Sequence, residues 1–135
     1  MVEARHIVSR PIKRDLPDSF RCALRGIWYA LRTERNMRIH LGTAMLVLLF
    51  SAWLRLTQVE WLLIIVAIAL VLVAEMLNTV AELMVDLTTA ELNPLAKRAK
   101  DVAAAAVLVA AVTAVAIGSV VLGPRLWLAI EQLLH

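Results

Sequence analysis

One cysteine, four glycines and 5% aromatic residues leave several kinds of chemistry without their parts. The lone Cys22 cannot close an intrachain disulfide, and there is no CxxC pair. HExxH is missing, and the glycines form neither a GxxxxGKS/T loop nor GxGxxG. Charged residues make up only 19% of the chain and are unevenly placed. A soluble domain of 135 residues needs a largely polar surface. At 61% hydrophobic and a mean hydropathy of +0.79, this chain does not supply one. The basic N-terminus is followed by no apolar core of signal-peptide length before residue 18, so insertion is expected to use internal spans. No nucleic-acid partner is expected.

What is present is a series of apolar runs. Residues 1–17, basic and interrupted by Pro11 and Pro17, read as a flexible cytoplasmic arm. Asp18 or Ser19 can cap a helix after Pro17. Phe20, Leu24, Ile27, Trp28 and Leu31 then recur at helical spacing, with Arg21, Arg25, Arg32 and Arg35 mostly on other faces. This predicts an amphipathic helix over 18–36, suited to an anionic membrane surface. Three spans are expected at about 39–56, 61–87 and 102–122, the first near the ~17-residue lower limit for a crossing helix. Trp61 anchors the second at an interface, and the Ala/Val-rich third can pack closely. Asn93-Pro94 reads as a helix breaker, and Gly123-Pro124 is expected to end the third span. Residues 123–135 then form an extracytoplasmic amphipathic tail.

Lysine and arginine set the orientation. Arg5, Arg10, Lys13, Arg14, Arg21, Arg25, Arg32, Arg35 and Arg38 precede the first span, and Lys97, Arg98 and Lys100 lie before the third. Only Arg55 and Arg125 fall on the other side. The N-terminus is therefore expected in the cytoplasm and the C-terminus outside. The fold class is an all-α membrane protein, one lipid-facing domain over 18–122. Three thin helices have little interior for polar groups, so oligomerisation is expected to supply more.

The second span carries Glu75, Asn78, Glu82 and Asp86. At about 100° per residue these fall within about a quarter of the helix circumference. A carboxylate in hydrocarbon costs on the order of 2.5–3.5 kcal/mol on insertion scales, so such a stripe is either paired inside a bundle or serves chemistry. Glu75 is the deepest. Glu34, Lys100 and Asp101 lie at the same predicted level. Carboxylates suit a hard divalent cation such as Mg²⁺, a lysine suits phosphate oxygens, and a carboxylate in a low-dielectric site can accept a proton from a hydroxyl. These are the parts of a phosphoryl-transfer site. Two readings stay open beside it: the acids pair with Lys97, Arg98 and Lys100 at the membrane edge, or they form a cation-binding or transport bundle.

The string Glu75-Met76-Leu77-Asn78-Thr79-Val80-Ala81-Glu82, with Asp86 after it, resembles the ExxNTxxExxxD signature of the prokaryotic diacylglycerol kinase family. Residues 96–108, AKRAKDVAAAAVL, resemble its second signature, and SFRCALRGI with Thr33-Glu34-Arg35-Asn36 and His40 resembles its surface-helix region. The resemblance covers about residues 19 to 122. Thr33-Glu34-Arg35-Asn36, His40, Glu60-Trp61 and Asn93-Pro94-Leu95-Ala96 are similar to the undecaprenol kinase branch, and Ala104 stands where the diacylglycerol branch generally has serine. The resemblance implies a homotrimer in the bacterial plasma membrane that uses ATP with Mg²⁺ to phosphorylate a lipid alcohol, undecaprenol or alternatively diacylglycerol. It implies Glu75 as general base meeting the lipid hydroxyl, and Glu34 and Glu82 as metal ligands. Asn78, Lys100 and Asp101 are implied to contact nucleotide, with Asp86 and Glu91 as lesser candidates.

Overall fold

The computed structural model describes residues 15–88 and 93–134. Four α-helices account for nearly all of them: α1 (Leu16–Thr33), α2 (Arg35–Trp53), α3 (Gln58–Thr88) and α4 (Pro94–Leu134). The first helix begins two residues earlier than expected, because Pro17 fits the first turn, where its missing N–H costs nothing. The arm at 1–14 lies outside the described residues. Phe20, Leu24, Ile27 and Trp28 stay exposed on α1, as an apolar face meant for a membrane surface requires. A single extended residue, Glu34, separates α1 from α2 and donates its N–H to the Ala30 carbonyl at 2.9 Å.

Among the described residues two helices are long and apolar enough to cross a membrane, α3 and α4. At 1.5 Å per residue they extend about 46 and 61 Å, beyond a ~30 Å hydrocarbon core. The span expected at 39–56 falls in α2, whose first two turns carry Arg35, Arg38 and His40, and α2 is not among the two. The most extensive pairing is between α3 and α4, with α2 against α3 next. Most large apolar side chains on all four helices face outward, the pattern of a chain whose solvent is lipid rather than water.

Helix α4 departs from expectation at both ends. Asn93-Pro94 starts a helix instead of only breaking one: Asn93 Oδ1 accepts the Leu95 N–H at 2.9 Å, and Pro94 takes the first helical position. At the other end, Gly123-Pro124 does not stop the helix, which runs on to Leu134 with Pro124 inside it. The tail expected at 123–135 is thus a continuation of α4. Proline inside a helix removes one donor and costs on the order of 3 kcal/mol. Tertiary contacts hold the turns beyond it. Ala129 packs on the cluster of Leu54, Leu56, Ile64 and Val121, and Arg125 grips Glu60.

That grip closes this end of the bundle. Thr57 and Glu60 form a reciprocal cap at the start of α3: Glu60 Oε2 accepts the Thr57 N–H at 2.7 Å, and Thr57 Oγ1 accepts the Glu60 N–H at 3.4 Å. Arg125 adds a bidentate pair, Nε to Oε1 at 3.0 Å and Nη2 to Oε2 at 2.7 Å. Glu60 precedes the apolar run that begins at Trp61. The Arg125 guanidinium, then the Thr57 N–H and hydroxyl, hold its carboxyl well below the usual carboxylate range, at about 2. The turn before it contains Arg55 at φ 51°, a left-handed conformation that costs a non-glycine residue about 1–2 kcal/mol.

Candidate functional site

The opposite end of α3 carries the acidic stripe. Burial grades along it as the helical period demands: Glu75 is 1% exposed and Asn78 7%, Glu82 is half-buried, and Asp86 is exposed. Asn78 Nδ2 donates to Glu82 Oε1 at 3.0 Å, one turn on. Thr79 Oγ1 donates to the Glu75 carbonyl at 3.0 Å, a bond within the helix that leaves the Glu75 side chain alone. Glu75 Oε2 and Asn78 Oδ1 are buried and have no hydrogen-bond partner among the described residues. Leaving such a group unsatisfied costs about 1–3 kcal/mol each. A ligand or proton that meets these oxygens recovers that energy.

Other elements converge on Glu75. Glu34, at the α1–α2 break, Glu82 and His40 lie close enough to interact electrostatically with its carboxyl, and the Asn36 side chain lies within hydrogen-bonding reach. Glu34 and Glu82 are both half-buried. The helix break places Glu34 there: had α1 run straight into α2, this residue would belong to a continuous helix instead of facing α3. In the sequence, Asn36 and His40 carry no assigned role beyond the family resemblance. The signal for both was available, since Asn36 and His40 are one turn apart and open α2 directly after Glu34.

Lys100 is drawn to the outer part of the stripe. Its Nζ lies 2.6 Å from Asp86 Oδ1, joining α4 to α3, and that hydrogen bond holds the ammonium above the usual lysine range. Asp101 is exposed and makes no hydrogen bond or ion pair among the described residues. Glu91 lies outside the described residues. No three of the described histidines, cysteines and acids form a ready-made metal cage. The oxygen set at Glu34, Glu82 and the unpaired Asn78 Oδ1 nevertheless fits Mg²⁺, which is usually held by one or two carboxylates together with substrate phosphates and water.

Beside Glu75 the helices leave apolar room. A cavity of about 360 Å³ runs between α2, α3 and α4, lined by Ala44, Ile64, Ala67, Val71 and Ala111 among others. Val71 is one turn before Glu75, and His40 is the one ionisable residue in the lining. Glu75 is not itself in the lining, and it follows Val71 by one helical turn on the side of the acidic stripe.

Long apolar helices with a buried acidic cluster toward one end define the class, an all-helical protein with the make-up of a membrane protein. Comparison with known proteins gives that class its particular form. The family model for prokaryotic diacylglycerol kinase matches residues 21–122. The undecaprenol kinase of Bacillus subtilis (strain 168) is 44% identical over 108 residues, which is 80% of this chain and 88% of that protein. The diacylglycerol kinase of Synechocystis sp. is 43% identical over 109 residues, 80% of this chain and 62% of that protein. The diacylglycerol kinase of Escherichia coli (strain K12) is 34% identical over 92 residues, 68% of this chain and 73% of that protein. The chain belongs to the prokaryotic diacylglycerol kinase family. It is a bacterial membrane lipid kinase, moving a phosphoryl group from ATP to a lipid alcohol.

Proposed function

We propose that the alcohol is undecaprenol and that the product is undecaprenyl phosphate. The observation that carries the catalytic reading is Glu75: a carboxyl 1% exposed, with Oε2 unpartnered among the described residues, one turn beyond Val71 in the wall of an apolar cavity. In this reading the lipid body lies in apolar surroundings and its hydroxyl meets Glu75 Oε2. The hydroxyl oxygen attacks the γ-phosphorus, its proton passes to the Glu75 carboxylate, and the bond from the γ-phosphorus to the bridging oxygen breaks to release ADP. A desolvated carboxylate is suited to this step because it has no water of its own to give up.

Glu34 and Glu82 would hold Mg²⁺, which when bound supplies charge neutralisation on the phosphates. Asn78 fixes Glu82 through the 3.0 Å bond and offers Oδ1 to the site. Lys100 and Asp101 contact nucleotide, with Asp86 steering Lys100 through their ion pair and Glu91 nearby in sequence. In this reading the enzyme works as a trimer in which α2, although not among the two helices that meet the length and hydropathy of a span, makes a third crossing beside α3 and α4, with the N-terminus in the cytoplasm and the C-terminus outside, so that ATP reaches the acidic end.

Support for undecaprenol comes from the residues shared with that branch, Thr33-Glu34-Arg35-Asn36 and His40, and from the extent of the Bacillus subtilis match. A second reading, diacylglycerol, is supported by the nearly equal identity to the Synechocystis protein. One experiment separates them. Purified enzyme receives labelled ATP with undecaprenol and diacylglycerol in competition. Label predominantly in undecaprenyl phosphate is the expected result, and label predominantly in phosphatidic acid overturns the undecaprenol assignment.

A further inference from the structure

The end of the bundle away from Glu75 holds a second cavity, of about 520 Å³, where the α2–α3 turn faces the last turns of α4. Its apolar wall includes Leu54, Leu128 and Leu133, and its polar wall includes Arg55, Arg125 and Gln132. Trp53 stands beside them. Three features mark the polar wall as built to receive an anion. Arg125 spends Nε and one Nη2 hydrogen on Glu60, which leaves three of its five donors free. Arg55 is exposed and makes no ion pair among the described residues. It also occupies a left-handed turn position that glycine or asparagine fills at less cost. With Glu60 counted, two arginines and one carboxylate leave the wall with net positive charge.

We infer that this cavity binds the phosphate headgroup of an anionic phospholipid, from the leaflet at the end of the bundle opposite the kinase site. Arg55 and Arg125 converge on the phosphate oxygens, as guanidinium donors do. Gln132 supplies an amide donor, and Leu128 and Leu133 lie against the first part of the lipid chains. Trp53 suits the interfacial depth that a headgroup occupies. The residues on α4 that complete this wall follow Leu122, where the family match ends. Trp53, Leu54 and Arg55 lie within the matched stretch, and the proposal is independent of the catalytic reading of Glu75.

The test is native mass spectrometry of the full chain released from micelles that contain phosphatidylglycerol and phosphatidylcholine in equal amounts. The wild type is expected to retain phosphatidylglycerol preferentially. Arg55→Gln, which leaves the Arg125–Glu60 pair intact, is expected to weaken that retention about tenfold, the loss of one charge-assisted hydrogen bond. Arg125→Gln is expected to weaken it too, with the Arg55 variant as the control for any disturbance of the fold. Excess glycerol 3-phosphate is expected to leave the lipid bound. Equal retention of both lipids overturns the proposal, as does unchanged retention by Arg55→Gln. Displacement by glycerol 3-phosphate overturns the lipid assignment.

Discussion

Glu60 and Glu75 lie on one helix and meet opposite fates. Glu60 has both oxygens bonded, to Arg125 and to the Thr57 cap. Glu75 is more deeply buried, yet one of its oxygens has no partner. The first carboxylate is an element of the fold, tying α4 to the start of α3. The second is a cost to the fold, and in the proposed mechanism its unsatisfied oxygen meets the substrate. A protein that needed acid groups only for stability would have paired both. The difference separates structural charge from chemical charge more sharply than depth in the membrane does.

Five substitutions break or sharpen that contrast, and the largest effect belongs to Glu75. Glu75→Gln is expected to lower lipid phosphorylation by about 10²–10⁴-fold, the usual contribution of a general base, with no loss in thermal midpoint. Near-normal turnover in the purified variant would remove Glu75 as the base. Next come Glu34→Ala and Glu82→Ala. Each should raise the Mg²⁺ concentration for half-maximal rate about tenfold or more, since even outer partners of a metal contribute that much. Superimposable Mg²⁺ titrations for wild type and both variants would argue against ligation.

At the structural end, Glu60→Gln is expected to lower the thermal midpoint while kcat stays near wild type. Its pH dependence gives the sign. The Glu60 carboxyl titrates at about 2 in the fold against 4.5 ordinarily. Its contribution is therefore complete above pH 4.5 and fades as pH falls toward 2. The wild type should lose its advantage over Glu60→Gln across that window, and a midpoint difference that stays constant would separate the ion pair from the stability. The smallest effect is expected from Asp86→Asn. Exposed ion pairs contribute little to stability, so the melting curve should not move, while KM for ATP changes through the released Lys100. A clear drop in thermal midpoint would make Lys100–Asp86 a structural tie like Glu60–Arg125.

Much of this was legible in the residues themselves. The acidic stripe was readable because helical period alone puts Glu75, Asn78, Glu82 and Asp86 on one face. The start of α3 was read three residues late, at Trp61, because the apolar run begins there, whereas the Thr57–Glu60 cap opens the helix at Gln58. The Glu60–Arg125 pair was not readable. Its partners are 65 residues apart, and no local rule says which turns of two long helices will meet. Pro124 misled for the same reason. Local propensity ends a helix there, and contacts made by Arg125 and Ala129 carry it on. Asn36 and His40 came to Glu75 only because the break at Glu34 turns α2 toward α3.

The sequence by itself determined that this chain lives in lipid, which polar residues share a face, and where its helices begin to be apolar, because hydropathy and the 3.6-residue period act locally. Tertiary structure alone decided which carboxylate is satisfied and which is left unpaired. Satisfying a charge takes a partner delivered by another helix, and that delivery depends on how the helices pack.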